Sequence, residues 1–381
     1  MNGDTKLGDV VTGRQGVLTE SRWAYVTQTR STKVALLLGY LSLIVAIFVA
    51  HDAAAMEYEV SIYTGTPLAF WVLTGAALLV ATTAAVYRFG TLAGRLGLVL
   101  AGTSVLSILS LPLIRGYYYY GLTDGMNHLG FTRKLAVGIR SFFEFIYPGG
   151  HSTAIFFDAV TGIGIPRALM FVVFVCLLSF VVFVPLAVRE LVPDSRVVVL
   201  AVFAGLLITP INNVSTTLQF HSFTLATLLS PLFFYLLFKH LGHGAEDRWL
   251  PSRLSAVSLV LPLVGITVML YHPQTMLNVV VIVVVIAAIQ VVYSWRGADN
   301  AIGRARPVYG LALLLLVAFY LWTSKHWQTS ATIERTITAV ESYFQGTAEA
   351  ASNLESRQQS ASEIGVSTSE LFVKLILVEV V

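Results

Sequence analysis

Nine long runs of apolar residues restrict the fold of this 381-residue chain more than any other feature. A bilayer core about 30 Å thick is crossed by a helix of about 20 mainly apolar residues. The runs therefore predict an all-α fold, a polytopic transmembrane helix bundle of about nine spans. They lie at residues 34–50, 68–87, 96–114, 168–188, 197–211, 223–238, 254–271, 275–293 and 308–322. Charged residues make up 12% of the chain, about half the share of a soluble domain, which indicates a surface that faces lipid.

The spans divide the chain into four parts. Residues 1–33 form a polar N-terminal tail, residues 34–325 the transmembrane domain, and residues 326–370 a second polar tail. Residues 371–381 are apolar but about half as long as a span, which predicts an interfacial helix or a shortened tenth span. Because the first apolar run begins only at Val34, we expect an uncleaved targeting segment and no cleavable signal peptide.

Lys and Arg are distributed unequally between the two sides of the predicted bundle. Fifteen of them lie in the N-terminal tail and in alternate loops that follow the second, fourth, sixth and eighth spans. None occurs in three loops of the other side, residues 51–67, 212–222 and 272–274. Since positively charged loops stay in the cytoplasm, the pattern predicts a multi-pass plasma membrane protein with a cytoplasmic N-terminus.

Composition also limits the function. No Asp, Glu, Lys, Arg or His lies well inside any of the nine runs, although ion and proton pathways usually keep such groups at a cost of about 3 kcal/mol or more. A transporter is therefore less favoured. The basic residues form no stripe, so we expect contacts with membrane lipid and none with nucleic acid. With Cys176 as its single cysteine, the chain has no disulfide framework.

Six of the eight histidines fall on the outer side, and the polar chemistry collects in the long outer loop, residues 115–167. This loop opens with Arg115 and four tyrosines that end at Tyr120. The tyrosines suit an aromatic belt or a stacking platform for a sugar or an isoprenoid. After Asp124 the sequence predicts an amphipathic helix that lies in the membrane interface. Its apolar stripe is formed by Phe131, Leu135, Ile139 and Phe142.

Asp124 has two compatible interpretations. As an N-cap it would accept hydrogen bonds from the first amides of the helix. As a general base it would take a proton from an acceptor hydroxyl at the membrane surface. His128 follows one helical turn later, so we expect it near Asp124, either tuning this carboxylate or as an ordinary interfacial histidine.

Two further outer segments carry candidate residues. Tyr147 and His151 flank a Pro-Gly-Gly sequence, which predicts a turn before the chain re-enters the membrane. His272 precedes Pro273 in a very short hairpin, where proline favours the first position of a helix. Two or three histidines and an acid could bind a divalent metal, but their spacing matches no ligand motif. The sequence therefore predicts no particular metal site and no certain cofactor.

These outer residues resemble a known class of enzyme. The segment DGMNHLGFTRK at residues 124–134 resembles the acid and amphipathic helix of the first long outer loop in membrane-embedded, lipid-linked glycosyltransferases of the class C fold. The sequence YPGGH at residues 147–151 resembles the Tyr-Pro turn that often follows. Segments 58–63 and 271–278 are similar to those of uncharacterised archaeal multi-spanning proteins of this kind. The resemblance covers roughly residues 34–325.

The resemblance implies transfer of a sugar from a polyprenyl-phosphate donor to an acceptor on the outer face, as in archaeal cell-surface glycosylation. It implies catalysis by Asp124 with His128. It implies substrate binding by outer cations and rings, namely Arg115, Tyr120, Arg133, Lys134, Arg140, Tyr147, His151 and His272. In well-understood members the acidic loop follows the first helix, whereas here it follows the third, so Glu57 and Glu59 are alternative acids. Other hypotheses are a membrane scaffold or assembly component and a transporter or flippase. The sequence does not specify the sugar, the acceptor or the oligomeric state.

Overall fold

The computed structural model describes residues 30–56, 59, 61–121, 124–211, 219–242, 256–295, 302 and 305–327, with six further residues between 330 and 341. Throughout these residues the regular structure is helical and no strand occurs. The prediction of an all-α helical bundle is confirmed. The apolar segment 371–381 and both polar tails, apart from the residues named, lie outside the described part of the chain.

The helices of the described residues carry the labels α1 to α13. In chain order they are α1 (Arg30–Asp52), α2 (Ile62–Gly65), α3 (Leu68–Tyr87), α4 (Leu92–Leu109), α5 (Leu111–Ile114), α6 (Asp124–Ala136), α7 (Gly149–Thr161), α8 (Ile165–Leu191), α9 (Ser195–Ile211), α10 (Ser222–Gly242), α11 (Ala256–Tyr271), α12 (Pro273–Trp295) and α13 (Tyr309–Thr323). A 3₁₀ turn, Phe142–Glu144, lies between α6 and α7.

Six of these helices, α1, α3, α4, α8, α10 and α12, are long and apolar enough to cross a membrane. The chain is therefore a membrane-embedded, multi-pass protein. Three shorter apolar helices, α9, α11 and α13, occupy the remaining predicted spans. For these three, membrane crossing stays a prediction. The third predicted span, residues 96–114, divides into α4 and α5 at Ser110, just before Pro112, because proline lacks the amide needed to continue a helix.

Small residues permit close packing of α3 against α4, as expected where lipid supplies no hydrophobic drive for helix association. The most extensive packing joins α8 to α10, α3 to α4 and α1 to α3. At Gly97 of α4, a β-carbon would lie 2.8 Å from both the Ala81 carbonyl oxygen and the Ala85 amide nitrogen of α3. Glycine at this position therefore permits direct backbone contact between the two helices.

One end of the bundle carries residues 115–121 and 124–164, and we call it the loop end. Successive long helices alternate in direction, so the end of α1, the start of α10 and the α11–α12 connection all reach the loop end. Two side-chain contacts attach the loop there. The Trp322 indole donates to the Ile146 carbonyl at 2.9 Å, and the hydroxyls of Thr153 and Tyr271 lie 2.9 Å apart.

The amphipathic helix that the sequence predicts after Asp124 is α6, but it is shorter than the predicted stripe. It ends at Ala136 because Gly138 adopts a φ of +72°, and the Ile139 amide turns back to the Lys134 carbonyl at 2.9 Å. This is the left-handed ending that glycine allows. Ile139 and Phe142 therefore lie beyond the helix. The buried residues of α6 are Gly125, His128, Leu129 and Thr132.

The Pro-Gly-Gly sequence forms the start of α7 rather than a separate turn, with Pro148 at the N-cap. Its glycines permit close approach to neighbouring helices. A β-carbon on Gly149 would lie 2.7 Å from Tyr271 Cδ2 and 2.9 Å from the Leu270 carbonyl carbon. Because the second of these atoms is backbone, it cannot move without shifting α11.

Substituting Gly149 therefore tests this contact. We expect Gly149→Ala to destabilise the protein by about 1–3 kcal/mol, as overpacking does elsewhere, and to lower the thermal unfolding midpoint in detergent or nanodiscs. Gly130→Ala is the matched control, because nothing lies within 4 Å of a β-carbon at this helical position and alanine favours helix over glycine by about 1 kcal/mol. Equal midpoints for the two variants would contradict the close packing of α7 on α11.

Candidate functional site

Four histidines from four separate segments converge at the loop end. His128 lies on α6, His151 on α7, His221 just before α10, and His272 between α11 and α12. The His128 ring centroid is 5.2 Å from that of His151 and 5.7 Å from that of His221. We call these four residues, together with Asp124, the histidine cluster.

Asp124 lies at the exposed side of the cluster. Its Oδ2 atom is 3.4 Å from His128 Nε2 and 3.2 Å from His221 Nε2. The predicted proximity of Asp124 and His128 is confirmed, because four residues of α-helix place them on one face. The Asp124 side chain is 51% exposed and that of His128 is 4% exposed. An exposed carboxylate therefore lies against a buried imidazole ring.

Behind His128, a chain of polar contacts leads into the protein. His128 Nδ1 is 3.4 Å from His151 Nε2, and His151 Nδ1 is 2.8 Å from the Thr132 hydroxyl. That hydroxyl is also 2.8 Å from the His128 carbonyl oxygen. Thr132 and His151 are fully buried, so these contacts satisfy groups that water cannot reach.

The chain of contacts has two hydrogen-bonded arrangements because a threonine hydroxyl has a single proton. In the outward arrangement Thr132 donates to His151, His151 to His128, and His128 Nε2–H to Asp124. In the inward arrangement Thr132 donates to the His128 carbonyl, His151 Nδ1–H to Thr132, and His128 Nδ1–H to His151. The inward arrangement leaves a lone pair on His128 Nε2, directed at the Asp124 side of the cluster.

Burial keeps the inner rings uncharged near neutral pH. It lowers the pKa of His151 to about 3, with His128 nearby adding to the effect. Burial likewise lowers the pKa of His272 to about 4, with His221 and His128 contributing. For His128, burial lowers the pKa while the neighbouring Asp124 carboxylate opposes the shift. Neutral imidazoles can both donate and accept hydrogen bonds, and they can bind metals.

Aromatic rings fix the orientation of the histidines. Tyr147 stacks on His272 with ring centroids 5.8 Å apart, and Phe223 meets the same ring edge-on at 5.3 Å. The Phe220 ring lies 5.1 Å from that of His151. Burial, followed by the charge of Asp124, raises the pKa of Tyr147, so its hydroxyl stays protonated. The sequence-predicted residues Tyr147, His151 and His272 are therefore brought together with His128.

The cations named from the sequence lie around the cluster. Arg133 and Lys134 are on the exposed face of α6, opposite to its buried histidine. Arg133 Nη2 donates to the Tyr118 hydroxyl at 3.0 Å. Arg140 lies just beyond the helix, with its guanidinium carbon 5.6 Å from the centre of the Phe145 ring. An anionic group at the surface would therefore meet Arg133 and Lys134 on the helix that begins with Asp124.

Arg115 and Glu59, both named from the sequence, bind each other. Arg115 Nη1 donates to Glu59 Oε2 at 2.7 Å and Nη2 to Oε1 at 2.5 Å, while Nε donates to the Ala53 carbonyl at 2.8 Å. The Tyr117 hydroxyl also donates to Glu59. The hydrogen bond from Arg115 lowers the pKa of Glu59, with burial opposing.

The half-buried Tyr120 ring lies 5.8 Å from that of Tyr117. Glu57 lies outside the described residues.

Sequence reasoning did not name His221 and Thr132 as site residues. His221 carried one weak signal, its position on the outer side near the end of a predicted span, but His51 and His326 share that signal. In the structure these two instead face the backbone carbonyls of Ile114 and Trp322, at 3.0 and 2.9 Å. Only the packing of α10 against α8 and the loop distinguishes His221 from them.

No family model, curated protein or solved structure matches this chain. The fold and the site therefore define its class by geometry alone. It is a membrane-embedded bundle of helices whose described polar chemistry is concentrated at one end, where an exposed carboxylate is backed by buried, neutral histidines.

Proposed function

We propose that the protein transfers a sugar from a polyprenyl-phosphate carrier to an acceptor hydroxyl at the outer face of the plasma membrane. The observation that carries this proposal is the Asp124 carboxylate, half exposed, held by His128 and His221, and set on the same short helix as Arg133 and Lys134. A base and two cations on one short helix at the end of a membrane bundle suit a reaction on a lipid phosphate.

The proposed reaction is a single displacement at the sugar. Asp124 takes the proton of the acceptor hydroxyl, and the acceptor oxygen forms a bond to the anomeric carbon. The bond between that carbon and the phosphate oxygen breaks, and its electron pair leaves with the polyprenyl phosphate. Attack opposite to the leaving group inverts the anomeric centre. Arg133 and Lys134 stabilise the negative charge on the leaving phosphate.

The histidines serve this reaction by orienting the base. In the outward arrangement His128 donates to Asp124 Oδ2, and His221 Nε2 lies 3.2 Å from the same oxygen. The second carboxylate oxygen, Oδ1, is then free of these two contacts and can receive the proton. Because His128 is itself held by His151 and Thr132, the orientation is set by buried groups rather than by the surface.

The proposed orientation follows from the loops. Most Lys and Arg residues lie in the N-terminal tail and in loops at the end opposite to the loop end, which supports a cytoplasmic position for that end. Two of the cation-free loops, residues 212–222 and 272–274, contribute His221 and His272 to the cluster. The cluster then faces the outside, where a sugar carried by a flipped lipid becomes available.

Two features favour an enzyme over a transporter or a passive scaffold. In the described helices that could span the membrane, every Asp, Glu, Lys, Arg and His lies in the first or last four residues. They therefore offer no charged path for an ion. Burying the polar groups of His128, His151 and Thr132 also costs free energy. A scaffold that carries out no reaction would gain nothing from this cost beside an exposed carboxylate.

A deletion strain tests the proposal. We expect loss of the gene to remove one sugar from cell-surface glycoproteins or glycolipids, and to leave its polyprenyl-phosphate donor to accumulate. Mass spectrometry of glycans and lipid extracts, compared with wild type and with a strain carrying the restored gene, measures both effects. Unchanged glycans together with an unchanged pool of polyprenyl-phosphate sugars would exclude glycosyl transfer.

A further inference from the structure

We propose that Asp124, His128 and His221 form a binding site for one divalent transition-metal cation, with Zn²⁺ the best match to the donor set. One ligand atom from each residue lies within 4.8 Å of the other two. Imidazole and carboxylate donors in this combination suit zinc and its neighbours in the first transition row rather than magnesium or calcium, which prefer oxygen donors alone.

The distances between donor atoms fit a tetrahedral ion. With ligands at about 2.0–2.1 Å, a tetrahedral zinc site has edges of about 3.3–3.4 Å between ligand atoms. Asp124 Oδ2 lies 3.4 Å from His128 Nε2 and 3.2 Å from His221 Nε2. Two edges of the tetrahedron are therefore already present. The third joins the ligand nitrogens of His128 and His221, which lie within 4.8 Å of each other, and a rotation of the partly exposed His221 side chain would shorten it.

The buried groups behind His128 provide the outer shell that metal-binding histidines require. Such a histidine donates its second ring N–H to a fixed acceptor, which sets its tautomer. In the inward arrangement His128 Nδ1–H points to His151 Nε2, and His151 Nδ1–H points to Thr132. His128 Nε2 then presents a lone pair beside Asp124. With a cation bound, this lone pair and the carboxylate oxygen are both directed at the ion.

His221 differs from His128 in this respect. Its Nδ1 is buried and has no hydrogen-bond partner among the described residues, whereas its Nε2 faces Asp124. Because metal-binding histidines usually donate the second N–H to an acceptor, His221 is held less firmly than His128. Asp124 and His128 are therefore the better fixed part of the proposed site.

Three protein ligands leave one position of a tetrahedral ion open, as in catalytic rather than structural zinc sites. The opening lies on the side of Asp124, whose side chain is 51% exposed. In the proposed transferase this position would meet a phosphate oxygen of the carrier. That use rests on the proposed function, whereas the metal site itself does not.

Metal binding by the purified chain tests the inference without any substrate. The protein, carrying no polyhistidine tag, is reconstituted in nanodiscs, stripped with a chelator and titrated with Zn²⁺ alone. We expect about one zinc per chain by elemental analysis. We expect His221→Gln and His128→Gln to weaken binding by more than about 100-fold, and Thr132→Val by about 10–100-fold, as for outer-shell partners. Co²⁺ in place of zinc should give the intense visible bands of a four-coordinate site.

His51→Gln is the matched control, because His51 is an exposed histidine at the same end whose Nδ1 faces the Ile114 carbonyl. It should bind zinc as the wild type does. His221 is 34% exposed, so its variant keeps the fold, which a thermal melt of the stripped protein verifies. Absence of stoichiometric zinc in the wild type, or equal zinc affinity in wild type and His221→Gln, overturns the metal site. Either result leaves the glycan experiment unaffected.

Discussion

Replacing Asp124 with asparagine is expected to lower sugar transfer by about 10²–10⁴-fold, the range that a positioned general base contributes. Asparagine has nearly the same size and keeps a hydrogen-bonding oxygen, but it cannot take up the acceptor proton. Because the Asp124 side chain is 51% exposed, the change removes no packing. Glycans of a deletion strain that carries the variant gene, measured against its protein level in the membrane, give the loss.

Glu144→Gln is the matched control. Glu144 is an exposed acid in the same outer loop, on the 3₁₀ turn between α6 and α7, and it contributes to neither the histidine cluster nor the Arg115 ion pair. Neutralising it should leave transfer within about twofold of wild type, since substitutions at exposed positions of this kind change little. Full glycan extension by Asp124→Asn at normal protein level would reject Asp124 as the base.

A loss of activity in Asp124→Asn has two interpretations, because Asp124 is both the proposed general base and a proposed metal ligand. His221→Gln separates them, since it removes a proposed metal ligand and leaves the carboxylate in place. If zinc assists the transfer, His221→Gln loses activity in proportion to its loss of zinc and recovers in excess zinc. If Asp124 acts only as a base, the activity of His221→Gln is the same at every zinc concentration, because any loss then comes from the orientation of the carboxylate.

The sequence predicts those features of the molecule that depend on interactions between residues close together in the chain. The six candidate spans follow from local hydropathy, and the proximity of Asp124 and His128 follows from one helical turn. The end of α6 at Ala136 was missed because the apolar stripe continues to Phe142. The left-handed Gly138 that ends the helix does not alter that stripe.

The sequence could not predict which side chains far apart in the chain contact each other. His221 lies 93 positions after His128, and between them the chain crosses the described bundle along α8 and α9. No local pattern marks His221 as the partner of Asp124. Thr132 also looks like an ordinary helix residue until His151, 19 positions away, is placed against it. Such contacts depend on how helices pack, and a single sequence does not record this.

Glu59→Gln is expected to destabilise the protein by about 3–5 kcal/mol, the usual result of breaking a buried ion pair from one side. Arg115 is 2% exposed and Glu59 is 20% exposed. Because an arginine does not lose its proton in a protein, the variant leaves a buried cation whose remaining strong contact is the Ala53 carbonyl. The thermal unfolding midpoint in nanodiscs measures the loss.

The double variant Glu59→Gln/Arg115→Met decides between two roles for Arg115. If Arg115 only holds the segment after α1 against α5, removing both charges restores much of the stability, because neither partner is left unpaired, and sugar transfer returns with it. If Arg115 also binds the donor phosphate, as the resemblance implied, the double variant is stable but remains inactive. The bidentate contact with Glu59 at 2.5 and 2.7 Å favours the first outcome, since it already engages both terminal nitrogens of the guanidinium group.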